Sequence, residues 1–415
     1  MCKVVMTMKN NHIMFIAGEP SGDMRAAGLA RALKELDPTL RLSGIGGEYM
    51  QEAGVKCFTD ITELAVIGIA EVVKNLSRIK KIFDQTLKQI DLDPPDCVIL
   101  VDYPGFNMRL AKEIKKRRIC HSRPRLKIIY YISPQVWAWR EKRVLKIKNL
   151  VDRMIVLFPF EQGIYSKYGM KVDYVGHPLV DEIIVYKDQT EVLKNIGLSA
   201  GKTTIGLMPG SRAKEVERHL RLMLEAAQIL FKQNKERQFI LLKASSIPFK
   251  LIEDQIKVSL RGPEGDVAIF FKRLLRRFAP RNDTRIDIPI KIYDGPIYDG
   301  INAMDAVIVA SGTATLETAL LKKPMVIIYK TSWVTYAIAK VLIKIPYIGL
   351  VNIVAGKKIV EELIQNDATA ARIAHAVEDA LHNPDIVDQL TAIKTSLDEP
   401  GASLRAAQII LEEIK

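Results

Sequence analysis

Five times along this chain a short apolar run, rich in β-branched residues, stops abruptly at a cluster of small and polar ones. Residues 13–17 run into Gly18-Glu19-Pro20-Ser21-Gly22-Asp23, and residues 97–101 into Asp102-Tyr103-Pro104-Gly105-Phe106-Asn107. Residues 127–132 lead to Ser133-Pro134-Gln135-Val136-Trp137-Ala138-Trp139-Arg140, residues 203–208 to Pro209-Gly210-Ser211-Arg212, and residues 306–310 to Ser311-Gly312-Thr313-Ala314-Thr315-Leu316-Glu317. Short strands alternating with helical stretches build parallel βαβ units. Open parallel sheets bind ligands just beyond the carboxyl ends of their strands. The pattern therefore predicts an α/β, doubly wound fold whose polar strand ends line a substrate cleft.

At 415 residues the chain exceeds what one hydrophobic core usually spans, so two domains are expected, with the boundary near residue 180. Strand-like segments at 154–158 and 173–175 close the first set, and Gly176-His177-Pro178-Leu179 makes a turn before the charged stretch 181–195. A second set opens at Thr203, with strands expected near 239–242, 290–293, 306–310 and 324–329, and helices over 368–414. This divides the chain into a domain of residues 1–180 and a domain of residues 181–415 that includes the terminal helices. The four cysteines lack CxxC spacing, and the apolar segment after the polar, lysine-bearing residues 1–11 is too short for a secretory signal, so a reducing cytoplasm is expected. The longest apolar region, 325–354, is broken by Lys330, Lys340, Lys344 and Pro346 and falls short of the roughly 20 residues a membrane span needs.

Sixty-one Lys and Arg against 48 Asp and Glu give a formal charge of +13, which suits an anionic partner: nucleic acid, anionic lipid or phosphorylated small molecules. Residues 267–281 set Phe270, Phe271, Leu274 and Phe278 on one helical face and Lys272, Arg273, Arg276 and Arg277 on the other. Such a helix either lies in a membrane interface or buries its apolar face on its own domain. Residues 64–76, largely apolar with only Glu71 and Lys74 as charges, are a second stretch with the same two readings. Neither interleaves basic and aromatic residues as a nucleic-acid stacking platform does, and no nucleic-acid partner is expected.

In the first loop Gly18 and Gly22 allow close backbone approach, Glu19 and Asp23 supply carboxylates, and Ser21 is placed to cap a helix over 24–36. A helix N-terminus at such a turn favours negative charge, such as phosphate.

The strings GEPSGD, DYPGFN, YYISPQVWAWR, FPFE, VGHPL, LMPGSR, ASGTATLE, PMVIIYK and VNIVAG occur in an order that resembles the lipid-A-disaccharide synthase family over nearly the whole chain. SPQVWAWR together with ASGTATLE is the most specific part of the match. The resemblance implies a GT-B glycosyltransferase, two Rossmann-like domains with a cleft between them, and no bound metal or cofactor. Its reaction joins UDP-2,3-diacylglucosamine to 2,3-diacylglucosamine 1-phosphate with inversion, releasing UDP, at the cytoplasmic face of the Gram-negative inner membrane. A homodimer is also implied. A UDP-N-acetylglucosamine epimerase or the peptidoglycan glucosaminyltransferase shares the Ser-Gly-Thr helix and the Glu after it, but is not expected to carry SPQVWAWR or DYPGFN. A non-catalytic sensor is disfavoured by the acids in the loops.

Glycosyl transfer needs a base at the attacking hydroxyl and positive or dipolar groups at the departing diphosphate. With no divalent cation implied, the protein supplies that charge itself. Asp102 matches the family's proposed catalytic aspartate, with Glu19 as the alternative base; an ordinary Asp pKa near 3.9 is low for the task, so burial or a neighbouring carboxylate has to raise it. Gly18, Ser21, Gly22, Asp23, Asn107 and Ser133 complete the substrate side. Gly210, Ser211 and Arg212 are placed for phosphate, as are Ser311, Gly312 and Thr313 at a helix start. By resemblance Glu317 binds the ribose and Asn352 contacts the nucleotide sugar, although Val351 stands where the family often has proline. His177 reads as a hinge or structural histidine, and Trp137 and Trp139 as pocket or core aromatics. Residues 258–286 look like an insertion relative to the family.

Overall fold

The computed structural model describes residues 11–60, 76–120, 126–139, 141–259, 288–342, 345–397 and 400–414. The amphipathic stretch 267–281 and nearly all of 64–76 lie outside them. The chain divides into two compact units, one of Met1–Asp181 with Leu397–Lys415, the other of Glu182–Ser396.

The first unit is built on seven parallel strands: β1 (His12–Ala17), β2 (Arg41–Gly46), β3 (Lys56–Asp60), β4 (Cys97–Val101), β5 (Lys127–Tyr131), β6 (Arg153–Val156) and β7 (Asp173–Tyr174). They lie in the order β3-β2-β1-β4-β5-β6-β7. Successive residues of β1 serve opposite faces of the sheet. Ile13, Phe15 and Ala17 enter one buried cluster and Met14 and Ile16 the other. A sheet covered on both faces requires continuous apolar strands, which is why these segments show no polar alternation. Each fully buried Ile, Leu or Phe contributes about 1.5–3 kcal/mol relative to exposure.

The helix Pro20–Leu36 starts four residues earlier than the periodicity indicates, because Pro20, with its φ already near the helical value, occupies the first turn. Glu19 is therefore the N-cap residue, without a side-chain cap bond, and Ser21 lies inside the first turn instead of capping it. Ala26, Ala27, Leu29, Ala30 and Leu33 form its buried face.

The second unit carries β8 (Thr203–Met208), β9 (Arg237–Leu242), β10 (Ile290–Tyr293), β11 (Ala306–Ala310), β12 (Met325–Tyr329) and β13 (Glu361–Ile364) in the parallel order β10-β9-β8-β11-β12-β13. Its main cluster packs Val216, Leu220, Met223 and Leu230 of the helix Ala213–Gln233 against Ile205, Leu207, Phe239 and Ile308. Both sheets have the doubly wound order that the alternating pattern predicts.

The terminal helices part company. Ala370–His382 and Ile386–Ser396 belong to the second unit, whereas Ala402–Ile414 packs on the first, a change from the 181–415 division expected from sequence. Its Ala406, Ala407 and Ile410 enter the cluster of Phe15 and Leu29. Asp181 caps it by accepting from the Gly401 and Ala402 N–H groups, at 2.6 and 3.1 Å, and Glu413 pairs with Lys127 at 2.7 Å. Periodicity identifies such a helix, but not the sheet it covers.

Two substitutions test these packings by urea unfolding. Ile410→Ala is expected to destabilise by about 3 kcal/mol through lost burial and a residual cavity. Gly44→Ala is expected to cost at least about 3 kcal/mol, because the added Cβ falls 2.0 Å from the Phe15 carbonyl oxygen on the paired strand, an atom the sheet holds in place.

Candidate functional site

In the first sheet the order reverses between β1 and β4, and their registered ends, Ala17 opposite Val101, set the loops that follow side by side. Asp102 and Tyr103 both take φ of 44°, a left-handed backbone that ordinary residues avoid at a cost of about 1–3 kcal/mol. Their turn is pinned from several sides. The buried Asn107 amide donates to the carbonyls of Ile16 (3.3 Å), Val101 (3.2 Å) and Asp102 (2.8 Å). The Tyr130 hydroxyl donates to the Asp102 carbonyl at 2.6 Å, and the Asp102 N–H to the Tyr131 carbonyl at 3.1 Å. The Tyr103 ring lies against Gly18, where a Cβ would stand 2.2 Å from Cδ1, so glycine is required there. Gly22 has no such need, since its Cβ would make ordinary contact with Val101 at 3.7 Å.

The turn leaves Asp102 partly exposed at the sheet's carboxyl edge. Burial, then the nearby charge of Glu19, raise its pKa to about 7, against a backbone hydrogen bond from Tyr103 that favours the ionised form. Titration near neutrality is what a general base needs. Asn107 is thus a brace for this turn, with its amide nitrogen engaged by three carbonyls.

Asp23 serves the fold. Its buried carboxylate accepts from the N–H groups of Gly47 (2.7 Å), Tyr49 (3.2 Å) and Met50 (3.3 Å), capping the helix Glu48–Glu52. Ser133 is also turned inward, donating to Glu161 at 2.6 Å. Glu161 in turn accepts from the N–H groups of Leu157 and Phe158, and burial raises its carboxyl to about 7. This link joins the loops after β5 and β6. Glu161 is absent from the sequence-derived set, though a Glu two residues after Pro159 at a helix start is a recognisable capping signal. Trp137 is half-buried, edge-on to Phe160 at 5.5 Å, while the side chain of Trp139 lies outside those described. His177 is structural: its Nδ1 accepts from the Leu179 N–H at 3.1 Å, and burial lowers its pKa to about 3.

The second sheet repeats the arrangement. Its order reverses between β8 and β11, where Met208 pairs with Val309, so the loops holding Arg212 and Ser311 emerge from neighbouring strands. Gly210 has φ of 120°, and a Cβ there would meet Glu215 Cβ at 2.7 Å. Glu215 accepts from the Ser211 N–H and from Arg212 Nη1, each at 3.2 Å. The Arg212 guanidinium is exposed at the rim, available to an anion that competes with this weak surface pair. Ser311 Oγ donates to the Ile348 carbonyl at 3.1 Å, while Gly312 and Thr313 are exposed ahead of the helix Ala314–Leu320. Glu317 is buried in that helix's first turn.

Asn352 departs from the expectation that it contacts nucleotide sugar. It is fully buried, its amide donating to Val360 O (2.9 Å) and Glu362 Oε1 (2.8 Å), its carbonyl accepting from Ile359 (2.8 Å) and Val360 (3.1 Å) N–H. The side chain is occupied in holding the turn before β13. The structure thus gathers Gly18, Glu19 and Asp102 at one strand reversal and Gly210, Ser211, Arg212, Ser311, Gly312 and Thr313 at the other, and assigns Asp23, Asn107, Ser133 and Asn352 to bracing.

The chain matches the lipid-A-disaccharide synthetase family over residues 13–262 and 266–407. It is 42% identical over 413 residues to the lipid-A-disaccharide synthase of Geobacter sulfurreducens, covering 98% of both chains. Among solved structures, the glycotransferase of kitacinnamycin aligns with a TM-score of 0.64 at 14% identity, over 98% of this chain and 100% of that one. The UDP-GlcNAc 2-epimerase from Neisseria meningitidis, bound to UDP-GlcNAc, aligns with a TM-score of 0.59 at 12% identity, over 97% and 100%. These structural likenesses establish the fold, which is GT-B, and the family match goes further: the chain belongs to the lipid-A-disaccharide synthase family, UDP-sugar glycosyltransferases of lipid A biosynthesis.

Proposed function

We propose that this protein transfers the 2,3-diacylglucosamine unit of UDP-2,3-diacylglucosamine to the 6-hydroxyl of 2,3-diacylglucosamine 1-phosphate with inversion, forming a β-1,6-linked disaccharide and UDP. The observation that carries this reading is the Asp102 carboxyl, held on a left-handed turn at the strand reversal with its pKa raised to about 7. Asp102 takes the proton of the acceptor hydroxyl as its oxygen bonds to C1 of the donor. The C1–O bond to the diphosphate breaks and its electron pair leaves with UDP. Glu19, whose charge raises the Asp102 pKa, tunes the base and is the alternative for its role.

On the donor side, Arg212 and the backbone around Gly210 and Ser211 meet the phosphates, helped by the N-terminal end of Ala314–Leu320 with Ser311, Gly312 and Thr313 before it. Glu317 holds the ribose hydroxyls. Ser21 and Gly22, in the first turn after Glu19, line the acceptor side. Among the described residues no helix is long and apolar enough to cross a membrane. Acylated substrates and the charge of +13 support peripheral attachment at the anionic cytoplasmic face of the inner membrane, and the family resemblance supports a homodimer.

Three outcomes are expected. Asp102→Asn should lower kcat by about 10²- to 10⁴-fold while leaving UDP affinity within about 3-fold of wild type; an unchanged kcat overturns Asp102 as the base. In wild type, log(kcat/KM) for the acceptor should rise with unit slope up to about pH 7 and then level, since the base works deprotonated. Stability moves the opposite way. A carboxyl whose folded pKa exceeds its unfolded one favours folding less as pH climbs from about 4 to 7, so Asp102→Asn should raise Tm at pH 8 and leave it unchanged at pH 3.

A further inference from the structure

His219 belongs to no sequence-derived set. It sits in the helix Ala213–Gln233, completely buried on the face that also carries Val216, Leu220 and Met223. A polar ring on an apolar stripe requires partners, and both its nitrogens have one. Nδ1 is 3.1 Å from the Pro209 carbonyl oxygen, and Nε2 is 2.9 Å from the Lys330 backbone nitrogen. A carbonyl only accepts and a peptide N–H only donates, so the partners select a single form: neutral imidazole, with its hydrogen on Nδ1. Burial lowers the ring's pKa, in keeping with that form.

The two partners lie on segments the sheet does not pair. Pro209 begins the loop after β8 and Lys330 follows β12, and β11 runs between those strands. The imidazole is therefore a strut across the end of β11, where Ser311 emerges. It also completes the anchoring of the Pro209–Arg212 loop: His219 holds the first carbonyl, Glu215 takes the Ser211 N–H, and Ser246 donates to the Ser211 carbonyl at 2.7 Å. Gly210, between these anchors, takes a φ of 120°.

We propose that His219 is a positioning residue for the UDP-sugar site, its Nδ1–H fixing the loop that presents Ser211 and Arg212 to the donor diphosphate. This rests on the reading of that loop as the diphosphate site. A phosphate loop binds tightly when its donors are already aimed, because ordering it on binding subtracts from affinity. Freeing the Pro209 carbonyl leaves Gly210 to wander and Arg212 with it.

The two halves of the ring are separable by substitution. His219→Asn carries an amide nitrogen near the Nδ1 position and retains the bond to Pro209; His219→Gln extends to the Nε2 position and retains only the Lys330 side. Calorimetric titration with UDP, on protein shown by circular dichroism to be folded, compares them with wild type and His219→Ala. His219→Ala and His219→Gln are expected to bind UDP about 10-fold more weakly, and His219→Asn within about 3-fold of wild type, whatever the losses in Tm. Should His219→Ala fail to fold, the Asn and Gln variants carry the comparison. Wild-type affinity in both His219→Ala and His219→Gln, or His219→Asn as weak as His219→Gln, overturns the inference alone. Wild-type protein that binds no UDP overturns the donor-site reading and the inference with it.

Discussion

The reversal of strand order within each parallel sheet is the constraint on which everything else depends. Where neighbouring strands send their chains to opposite faces, no helix covers the gap beyond their ends, and the loops there must satisfy their own backbone groups. β1 and β4 meet this demand with the Asn107 amide, which gathers the carbonyls of Ile16, Val101 and Asp102. β8 and β11 meet it with Glu215, Ser246 and His219 around the Pro209–Arg212 loop. In both sheets side chains engaged with backbone hold the loops beyond the strand reversal in place.

Much of the fold was legible in the sequence because buried parallel strands are short, apolar and sharply ended, and these interruptions mark the strand ends directly. Loops at the reversals were legible for the same reason. What could not be read was the direction in which polar side chains turn. Asp23, Asn107, Ser133 and Asn352 carry the residue types of a binding site, yet each satisfies backbone or a buried carboxylate, and nothing in a linear pattern separates a ligand-facing amide from one that braces a turn. His219 is hidden in the sequence for the converse reason. It sits within a helix, outside the loops, and its importance comes from a partner as distant along the chain as Lys330, 111 positions away.

The site also illustrates a conflict between stability and chemistry. A left-handed Asp102–Tyr103 turn and a carboxyl pushed to about 7 by burial and by Glu19 both oppose folding. The surrounding bonds from Asn107 and Tyr130 offset part of that opposition, contributing about 0.5–1.5 kcal/mol each. A carboxyl that titrates near neutral pH is obtained with no change in the sheet itself.

The helix Ala402–Ile414 gives the first domain a peculiar history during synthesis. Asp181 waits for Gly401, 220 residues further on, and Ala406, Ala407 and Ile410 reach the face made by Phe15 and Leu29 only once their helix has left the ribosome. The second domain, residues 182–396, is by contrast continuous and able to fold as it emerges. The first domain is therefore completed only after residues 182–396 have been made, and in the interval that apolar surface is open to chaperones and to aggregation. A stop codon just before Ala402 would spare both sheets and yet leave the oldest part of the nascent protein without the helix that covers it.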